Sequence, residues 1–229
     1  MPQTIPGKNG EKLRSFRALL AKEIRVAFRG RHLVGVGFGL AIVLSATLGF
    51  SLAGTKVGER VTASLLWIIV MFSSSDTLSR SFAKEEDEGT ADQLRLRVPM
   101  PSVFLAKTLA NAFFVLLIAC VVFPLLCFWL GVRLSALPLV GLLVLIGCPA
   151  LSFAQGFVGY LMSRGRALSA AYPVIVMPVI LPLLVCLVLA TSQALAEGTF
   201  SINLVVVIIS ESLAALVAGL VLVPYIEEE

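Results

Sequence analysis

The chain has 229 residues, of which 58% are hydrophobic and only 14% are charged. This composition lies outside the range of soluble globular domains, so it excludes a water-soluble enzyme or binding domain as the main body of the protein. The formal net charge of +4 is carried by the connections between apolar stretches. It therefore indicates membrane orientation and contact with anionic lipid, and it gives no support to nucleic-acid binding.

The N-terminal region is predicted to contain a disordered lead, 1–12, followed by an amphipathic helix, 13–31. Apolar residues recur there at helical spacing, with Lys and Arg between them: Leu13, Phe16, Leu20, Ile24 and Phe28. This pattern is typical of a helix that lies flat on the inner leaflet. Two interpretations stay open, a positively charged anchor and a helix docked against a cytoplasmic partner. No cleavable signal peptide is expected, because the first residues are polar and the first apolar run is too long.

Six stretches are predicted to cross the bilayer, since its core needs roughly 20 apolar residues per helix. The second stretch is charge-free only over 61–75, so it has to continue through Asp76 to Arg80, which can pair on one helix face. The predicted fold class is an all-α integral membrane protein with six transmembrane helices. The spans are 33–54, 61–80, 104–131, 135–162, 167–192 and 202–225, with an acidic tail at 227–229.

The distribution of Lys and Arg predicts the orientation of these spans. All of the 18 basic residues except Lys56, Arg60 and Arg133 fall in alternate connections. Those connections are the N-terminal arm, the segment 80–107 and the pair at 164 and 166. Because short loops rich in Lys and Arg stay in the cytoplasm, the N and C termini are both predicted to be cytoplasmic.

Small residues and prolines predict how the spans pack. Small residues permit close helix approach, either within the bundle or at a homodimer seam. They occur in the first and last spans: Gly35, Gly37, Gly39, Ser45 and Gly49, then Ala214, Ala215, Ala218 and Gly219. Pro173, Pro178 and Pro182 fall in the fifth span, which is expected to be kinked and to lie in the protein interior.

The connection between the second and third spans, 81–101, is the most informative segment. Thr90 and Gln93 fit a capping box, and an acidic run from Glu85 to Glu88 comes just before it, where a helix dipole favours negative charge. Pro99 then ends this helix before the third span. The pattern predicts a short cytoplasmic helix that suits docking to another protein; a solvated charged loop is the alternative.

This connection resembles the inner loop of ABC-2-type transporter permeases, which carries an acidic residue, Gly-Thr, Leu, Pro and a Lys that enters the next helix. The corresponding residues here are Glu88, Gly89, Thr90, Leu94, Pro99 and Lys107. More specifically, the chain resembles the CcmB family, the permease subunits of cytochrome c maturation systems. The matching stretches are 20–29, Arg80 with Phe82 through Gly89, 101–107, 147–151 and 178–184.

The resemblance implies a coupling role for Arg80, Phe82, Glu85, Glu88, Gly89, Thr90, Gln93, Leu94, Pro99 and Lys107. It implies that ATP is bound and hydrolysed by a separate ATPase, CcmA, and that this chain is not an enzyme. It further implies CcmC and CcmD as membrane neighbours, the haem chaperone CcmE as a partner and haem as a possible cargo. A homodimer in the bacterial inner membrane is expected by the same analogy, because an ABC pathway usually needs about twice as many helices.

No firmly bound haem or metal is predicted in this chain. Haem usually takes axial ligands such as His or Met, and the single histidine, His32, falls at the inner end of the first span as an interfacial residue. The four cysteines lie in apolar spans without CxxC spacing, so they are expected to be packing residues. The stretch 49–56 only superficially resembles a phosphate-binding loop, because its Thr and Lys are reversed.

Asp76 and Glu211 are acidic residues inside predicted spans, where ionisable groups usually have a function. Glu211 is open to three interpretations: an interior polar contact, a near-surface position if 198–210 forms a re-entrant element, and a proton or substrate relay. Three alternatives also stay open for the whole chain. They are an ABC-2 permease for lipid, polysaccharide or drug, an ion-coupled transporter using these two carboxyls, and a non-transporting scaffold. The ion-coupled transporter is disfavoured, since no internal repeat is evident.

Overall fold

The computed structural model describes residues 8–29, 31–87, 99–132, 136–163 and 172–227. Within these ranges the chain is entirely helical apart from short turns, in agreement with the predicted all-α class. The helices are α1 (Lys8–Arg29), α2 (Arg31–Leu52), α3 (Glu59–Asp87), α4 (Met100–Leu130), α5 (Leu137–Ser163), α6 (Tyr172–Glu197) and α7 (Ile202–Glu227).

Five helices of the described chain are long and apolar enough to cross a membrane. Their apolar segments are Gly35–Leu52, Met100–Leu130, Leu137–Met162, Val174–Glu197 and Ile202–Val223. Helix α3, which corresponds to the predicted second span, is not one of the five. It packs against α2, α4, α5 and α6, and Trp67, Ile69 and Val70 are fully buried. The side chains of α3 are described only as far as Ser75, and Val61, Ile68 and Phe72 on its other face are exposed, so α3 also presents an apolar surface.

Several predicted boundaries differ from the structure; for example, α4 begins four residues before the predicted 104, and α6 ends five residues after the predicted 192. Helix α1 begins at Lys8, so residues 8–12 are helical and not part of a disordered lead. Helix α3 continues to Asp87, so residues 81–87 prolong the second span and do not belong to the following loop. This last segment is rich in Ala, Lys and Glu, which favour helix continuation.

Neighbouring helices run up and down, and contacts define the two ends of the bundle. At one end, Phe104 near the start of α4 packs edge-on against Tyr160 near the end of α5, and Val223 of α7 joins them. At the other end, Nε1 of Trp67 in α3 donates a 2.8 Å hydrogen bond to Oγ1 of Thr191 late in α6. We call the first of these the loop end, since α3 ends and α4 begins there.

A stripe of small residues brings α2 close to its neighbours. Gly37, Ala41, Ser45 and Gly49 recur every fourth residue and are buried. A Cβ on Gly37 would lie 2.9 Å from the carbonyl oxygen of Ser73, and one on Gly49 would lie 2.6 Å from the Trp129 ring. By contrast, Gly35 and Gly39 face open space. Only part of the predicted glycine set therefore serves helix packing.

The small residues of α7 also pack within the chain. A Cβ on Gly219 would overlap the Phe104 ring of α4, and Ala215 packs against the main core. In the described chain Ala215 and Gly219 are therefore used for packing inside the bundle, one of the two predicted roles, whereas Ala214 is exposed.

The prediction that the fifth span lies in the protein interior is wrong. Helix α6 runs without a break through Pro178 and Pro182, and both prolines are exposed in the single chain. Its buried face carries Val176, Ile180 and Leu183. The interior positions belong to α3, α4 and α5, each of which packs against at least four other helices. Because proline has no N–H, Pro178 and Pro182 leave the carbonyls of Val174 and Pro178 without their intrahelical donor.

Candidate coupling site at the loop end

Most of the predicted coupling residues fall where side chains are not described. Glu88, Gly89, Thr90, Gln93 and Leu94 lie outside the described residues, and so does the predicted short helix near Thr90. The backbone places Arg80, Phe82 and Glu85 in the last turns of α3, and Asp76 lies earlier in the same helix. Pro99 and Lys107 are the two predicted coupling residues whose side chains are described.

Pro99 determines where α4 begins. It is the N-cap residue, with φ −58° and ψ 127°, and its carbonyl oxygen accepts a 2.9 Å hydrogen bond from the backbone N–H of Ser102. Pro101 follows in the first turn, where a residue without an N–H is tolerated because that donor would have no helical partner. The chain arriving from the undescribed segment therefore enters α4 in a defined direction.

The first turns of α4 hold α1 through an apolar contact. Leu19 of α1 is buried against Val103 and Ala106 of α4, with Phe16 and Met100 packed around them. Residues of the predicted amphipathic face that flank this contact, such as Leu20 and Ile24, are only half-buried. Helix α1 thus docks on the protein's own bundle; its relation to lipid stays a prediction.

A buried ion pair lies beside this apolar contact. Nζ of Lys107 in α4 is 3.6 Å from Oε2 of Glu23 in α1, and the two side chains are 2% and 5% exposed. Oε1 of Glu23 also lies 3.1 Å from Nζ of the half-exposed Lys22, although it accepts no well-formed hydrogen bond. Since burying a lone charge costs several kcal/mol, this pair stabilises both buried side chains in their positions.

Sequence reasoning singled out Lys107 but missed Glu23. The signal was present, because Glu23 follows Phe16 by seven residues and Leu19 by four, and these spacings bring all three to one helix face. An acidic residue on the contact face of an otherwise basic helix indicates a cation opposite it. Which cation lies opposite could not be read from the sequence of α1.

Helix α3 is tied to α5 by buried hydrogen bonds. Nε2 of Gln155 in α5 donates to Oγ of Ser74 at 3.1 Å and to Oγ of Ser75 at 3.2 Å. The Ser75 hydroxyl in turn donates to the carbonyl oxygen of Met71 at 2.7 Å. All three polar side chains are buried. A buried amide that is held in this way orients α5 relative to α3.

Helix α4 is tied to the same part of α5. Nδ2 of Asn111 donates to Oγ of Ser152 at 2.9 Å, and the Ser152 hydroxyl donates to the carbonyl oxygen of Thr108 at 2.7 Å. Because Ser152 and Gln155 are three residues apart on α5, one region of this helix contacts both helices that border the loop. The sequence signal for these bonds is a set of polar residues inside otherwise apolar runs: Ser74, Ser75, Asn111, Ser152 and Gln155.

Some polar atoms of this interior have no hydrogen-bond partner among the described residues. They are Oδ1 of Asn111, Oγ of Ser73 and Oγ of Ser45, all on helices near the loop end or the α2 stripe. An unsatisfied buried group costs about 1–3 kcal/mol. These polar positions in the interior therefore contribute less to stability than fully hydrogen-bonded ones would.

Glu211 lies well inside α7. At about 1.5 Å per residue it is roughly 14 Å from Ile202, and its Oε2 is buried without a hydrogen-bond partner among the described residues. The helix is continuous over Ile202–Glu227, so a re-entrant element in this region is ruled out, and with it the near-surface position that depended on it.

The described residues form no group of three His, Cys, Asp or Glu side chains that could hold a metal ion. The four cysteines are free. Cys148 is buried as predicted, whereas Cys120 is exposed on α4 and lines an apolar groove of about 510 Å³ against Gly141 of α5. The expectation of a buried packing role was wrong for Cys120. His32 lies at the second position of α2, but its side chain is outside the described part.

These observations define a class: a multi-pass, all-helical membrane protein whose described polar contacts converge on the helices bordering one loop. The profile of the family described as "CcmB protein" matches residues 14–227. Proteins named "Heme exporter protein B" are similar over most of their length. The one from Bradyrhizobium diazoefficiens is 33% identical over 193 residues, which is 80% of this chain and 83% of the relative.

Two further relatives carry the same name. The protein from Rhodobacter capsulatus is 29% identical, covering 74% of this chain and 78% of the relative. The protein from Pseudomonas aeruginosa is 28% identical, covering 74% and 77%. With a family match over nearly the whole chain, this protein belongs to the CcmB family.

Proposed function

We propose that this chain is the membrane subunit of a haem exporter ABC system that serves cytochrome c maturation. Membership of the CcmB family and the three relatives named for haem export support this assignment. As a permease subunit the chain is not itself an ATPase, and we assign ATP binding and hydrolysis to a separate subunit, CcmA.

One observation carries the mechanism: the helices on both sides of the 88–98 loop are hydrogen-bonded to a single helix, α5. Gln155 binds α3, and Ser152 binds α4. Displacement of the loop by an ATPase would therefore move α3, α4 and α5 together. A rigid-body shift of this kind is one way in which a packed bundle passes between two discrete states.

In this proposal the chain crosses the bacterial inner membrane six times, with α3 as the second span and both termini in the cytoplasm. The loop end then faces the cytoplasm, where an ATPase can reach residues 88–98. The placement of Lys and Arg supports this orientation. Two copies of the chain would supply the number of helices that an ABC pathway usually contains.

CcmC and CcmD are the proposed membrane neighbours, and CcmE is the proposed haem chaperone. Haem is treated as cargo of the complex, and we propose that this subunit does not hold it firmly. Haem titration of the purified chain tests this point. Stoichiometric binding that is lost in His32→Ala would contradict it.

The assignment is tested by co-purification with the ATPase from membranes. Deletion of residues 88–98, which spares the end of α3, should abolish both co-purification and cytochrome c maturation. Replacement of 53–58, the connection at the opposite end, by a Gly-Ser segment of equal length serves as the matched control and should preserve both. If the deletion retains the ATPase, the coupling role of the loop is wrong.

The same strains separate haem export from export of another substrate. Loss of cytochrome c with unchanged envelope integrity and drug sensitivity is the expected phenotype. An envelope or drug phenotype with normal cytochrome c would instead indicate a permease for lipid, polysaccharide or drug.

A further inference from the structure

We propose that Glu23 and Lys107 are positioning residues that make α1 move as one unit with the start of α4 during the transport cycle. The inference rests on the proposed function, because it assigns α1 a place in the path by which motion of the loop reaches the bundle. The observation behind it is a buried ion pair between these two helices, directly after the point where the loop enters α4.

Lys107 lies well inside α4. It lies roughly 10 Å along α4 from Met100, at about 1.5 Å per residue, in a helix otherwise apolar enough to span a membrane. Its side chain is 2% exposed. A Lys at this depth without a counter-ion would be strongly disfavoured, and Glu23 supplies the negative charge at 3.6 Å.

The first turns of α4 contact α1 on one side and α5 and α7 on another. Phe104 packs against Tyr160 of α5 and Val223 of α7, while Val103 and Ala106 contact Leu19 of α1. The first two turns of α4 thus lie between α1 and the rest of the bundle. A shift of these turns either carries α1 with it or separates the ion pair.

Separation is the unfavourable option. It would expose the apolar contact around Leu19 and move Lys107 away from Glu23. A buried charge that loses its partner is strongly destabilising, as is seen when one member of a buried ion pair is removed by mutation. We therefore assign α1 to the moving body formed by α3, α4 and α5. Its role goes beyond that of a stationary anchor on the membrane surface.

Charge exchange tests the pair itself. Glu23→Lys and Lys107→Glu are each expected to lower cytochrome c maturation at least tenfold, and the double exchange is expected to restore at least a third of it. Arg25→Gln, an exposed change on the same helix, is the control and should retain wild-type maturation. Amounts of each variant in the membrane are measured in parallel, so that the comparison is made at equal abundance.

If the double exchange matures no more cytochrome c than the single variants at equal abundance, the pairing is wrong. If Glu23→Gln, which keeps the shape of the side chain, has wild-type maturation, the charge on α1 is unimportant and the proposal also fails. Co-purification of the ATPase with the exchanged chain is a separate readout. If the wild-type chain does not co-purify with the ATPase, the proposed function is wrong. If it does co-purify, the charge-exchange result tests the ion pair independently of the proposed function.

Joint movement is tested by locking the contact. In a chain without its four native cysteines, Leu19→Cys and Val103→Cys are joined by a short thiol-specific cross-linker. Because α1 and α4 are expected to move together, the cross-linked complex should keep nucleotide-dependent ATPase activity and haem-chaperone release near those of the uncross-linked complex. Loss of activity on cross-linking, with activity intact in each single-cysteine variant, would mean that the helices separate and would overturn the proposal.

Discussion

The two ends of the bundle are held together by different kinds of contact. The loop end has a buried ion pair and, deeper in the same half, hydrogen bonds that centre on Gln155 and Ser152. The opposite end has one buried hydrogen bond, from Trp67 to Thr191, but is held mainly by large rings against small residues, with Trp129 over Gly49 and edge-on to Phe50. Polar pairs have defined partners and geometry, whereas apolar rings mainly fill space. The loop end is therefore suited to transmitting a displacement, and the opposite end to holding helices together.

The largest expected effect comes from breaking the buried ion pair from one side. Lys107→Ala leaves Glu23 buried with only the half-exposed Lys22 within ion-pair distance and should lower the free energy of unfolding by about 3–5 kcal/mol. The double variant Glu23→Gln with Lys107→Met should lose much less, because neither charge is then stranded. Thermal unfolding in detergent measures both. Equal losses for the single and double variants would mean that the pair is not buried as described.

A steric change near the middle of the bundle should have the next largest effect. In Gly147→Ala, the added Cβ overlaps the Trp67 ring and the Leu187 side chain, so we expect a loss of about 1–3 kcal/mol. Gly141→Ala on the same helix is the control, since nothing lies within 4 Å of its Cβ position. A comparable loss in both variants would point to a general effect of replacing glycine in α5.

Removing a hydrogen-bonding side chain at each end should separate stability from transmission. Thr191→Val leaves Nε1 of Trp67 buried without its acceptor, and Gln155→Leu removes the amide that joins α5 to Ser74 and Ser75, whose hydroxyls keep the Met71 carbonyl oxygen as acceptor. Each change is expected to cost about 1–2 kcal/mol. Only Gln155→Leu should also reduce cytochrome c maturation several-fold at equal protein abundance. The comparison between the two ends fails if Thr191→Val reduces maturation as strongly as Gln155→Leu.

The smallest effect is expected for Glu211→Gln. Its Oε2 accepts no hydrogen bond from the described residues, so the amide should be tolerated with unchanged stability and full maturation. Full maturation would also remove a proton or substrate relay from consideration. A maturation defect in a stable, abundant variant would restore that role.

The local sequence pattern predicted several features of the candidate site. The third span was predicted at 104–131, and the helix is present there, although α4 begins four residues earlier, at Met100. Lys107 was selected because of its place in a family-like motif. The partner of Lys107 was missed, since periodicity indicates which face a residue occupies but not which helix lies opposite. The short helix near Thr90 stays a prediction, because it lies outside the described residues.

Burial also could not be read correctly from composition alone. The prolines of α6 suggested an interior helix, but Pro178 and Pro182 lie on its exposed side. The less apolar α3 is among the helices that pack against the most neighbours, together with α4 and α5. In a membrane protein the outer surface is apolar too, so hydropathy does not separate residues that face lipid from residues that face another helix.

By itself, the sequence determined that this protein is helical and built for a membrane, and to which family it belongs. Those properties depend on run length, composition and local motifs. Only the tertiary structure decided which helices lie inside, that Glu23 meets Lys107, and that α5 contacts both helices bordering the loop. The reason is physical: these contacts join residues far apart in the chain, and their free energy exists only once the helices have packed.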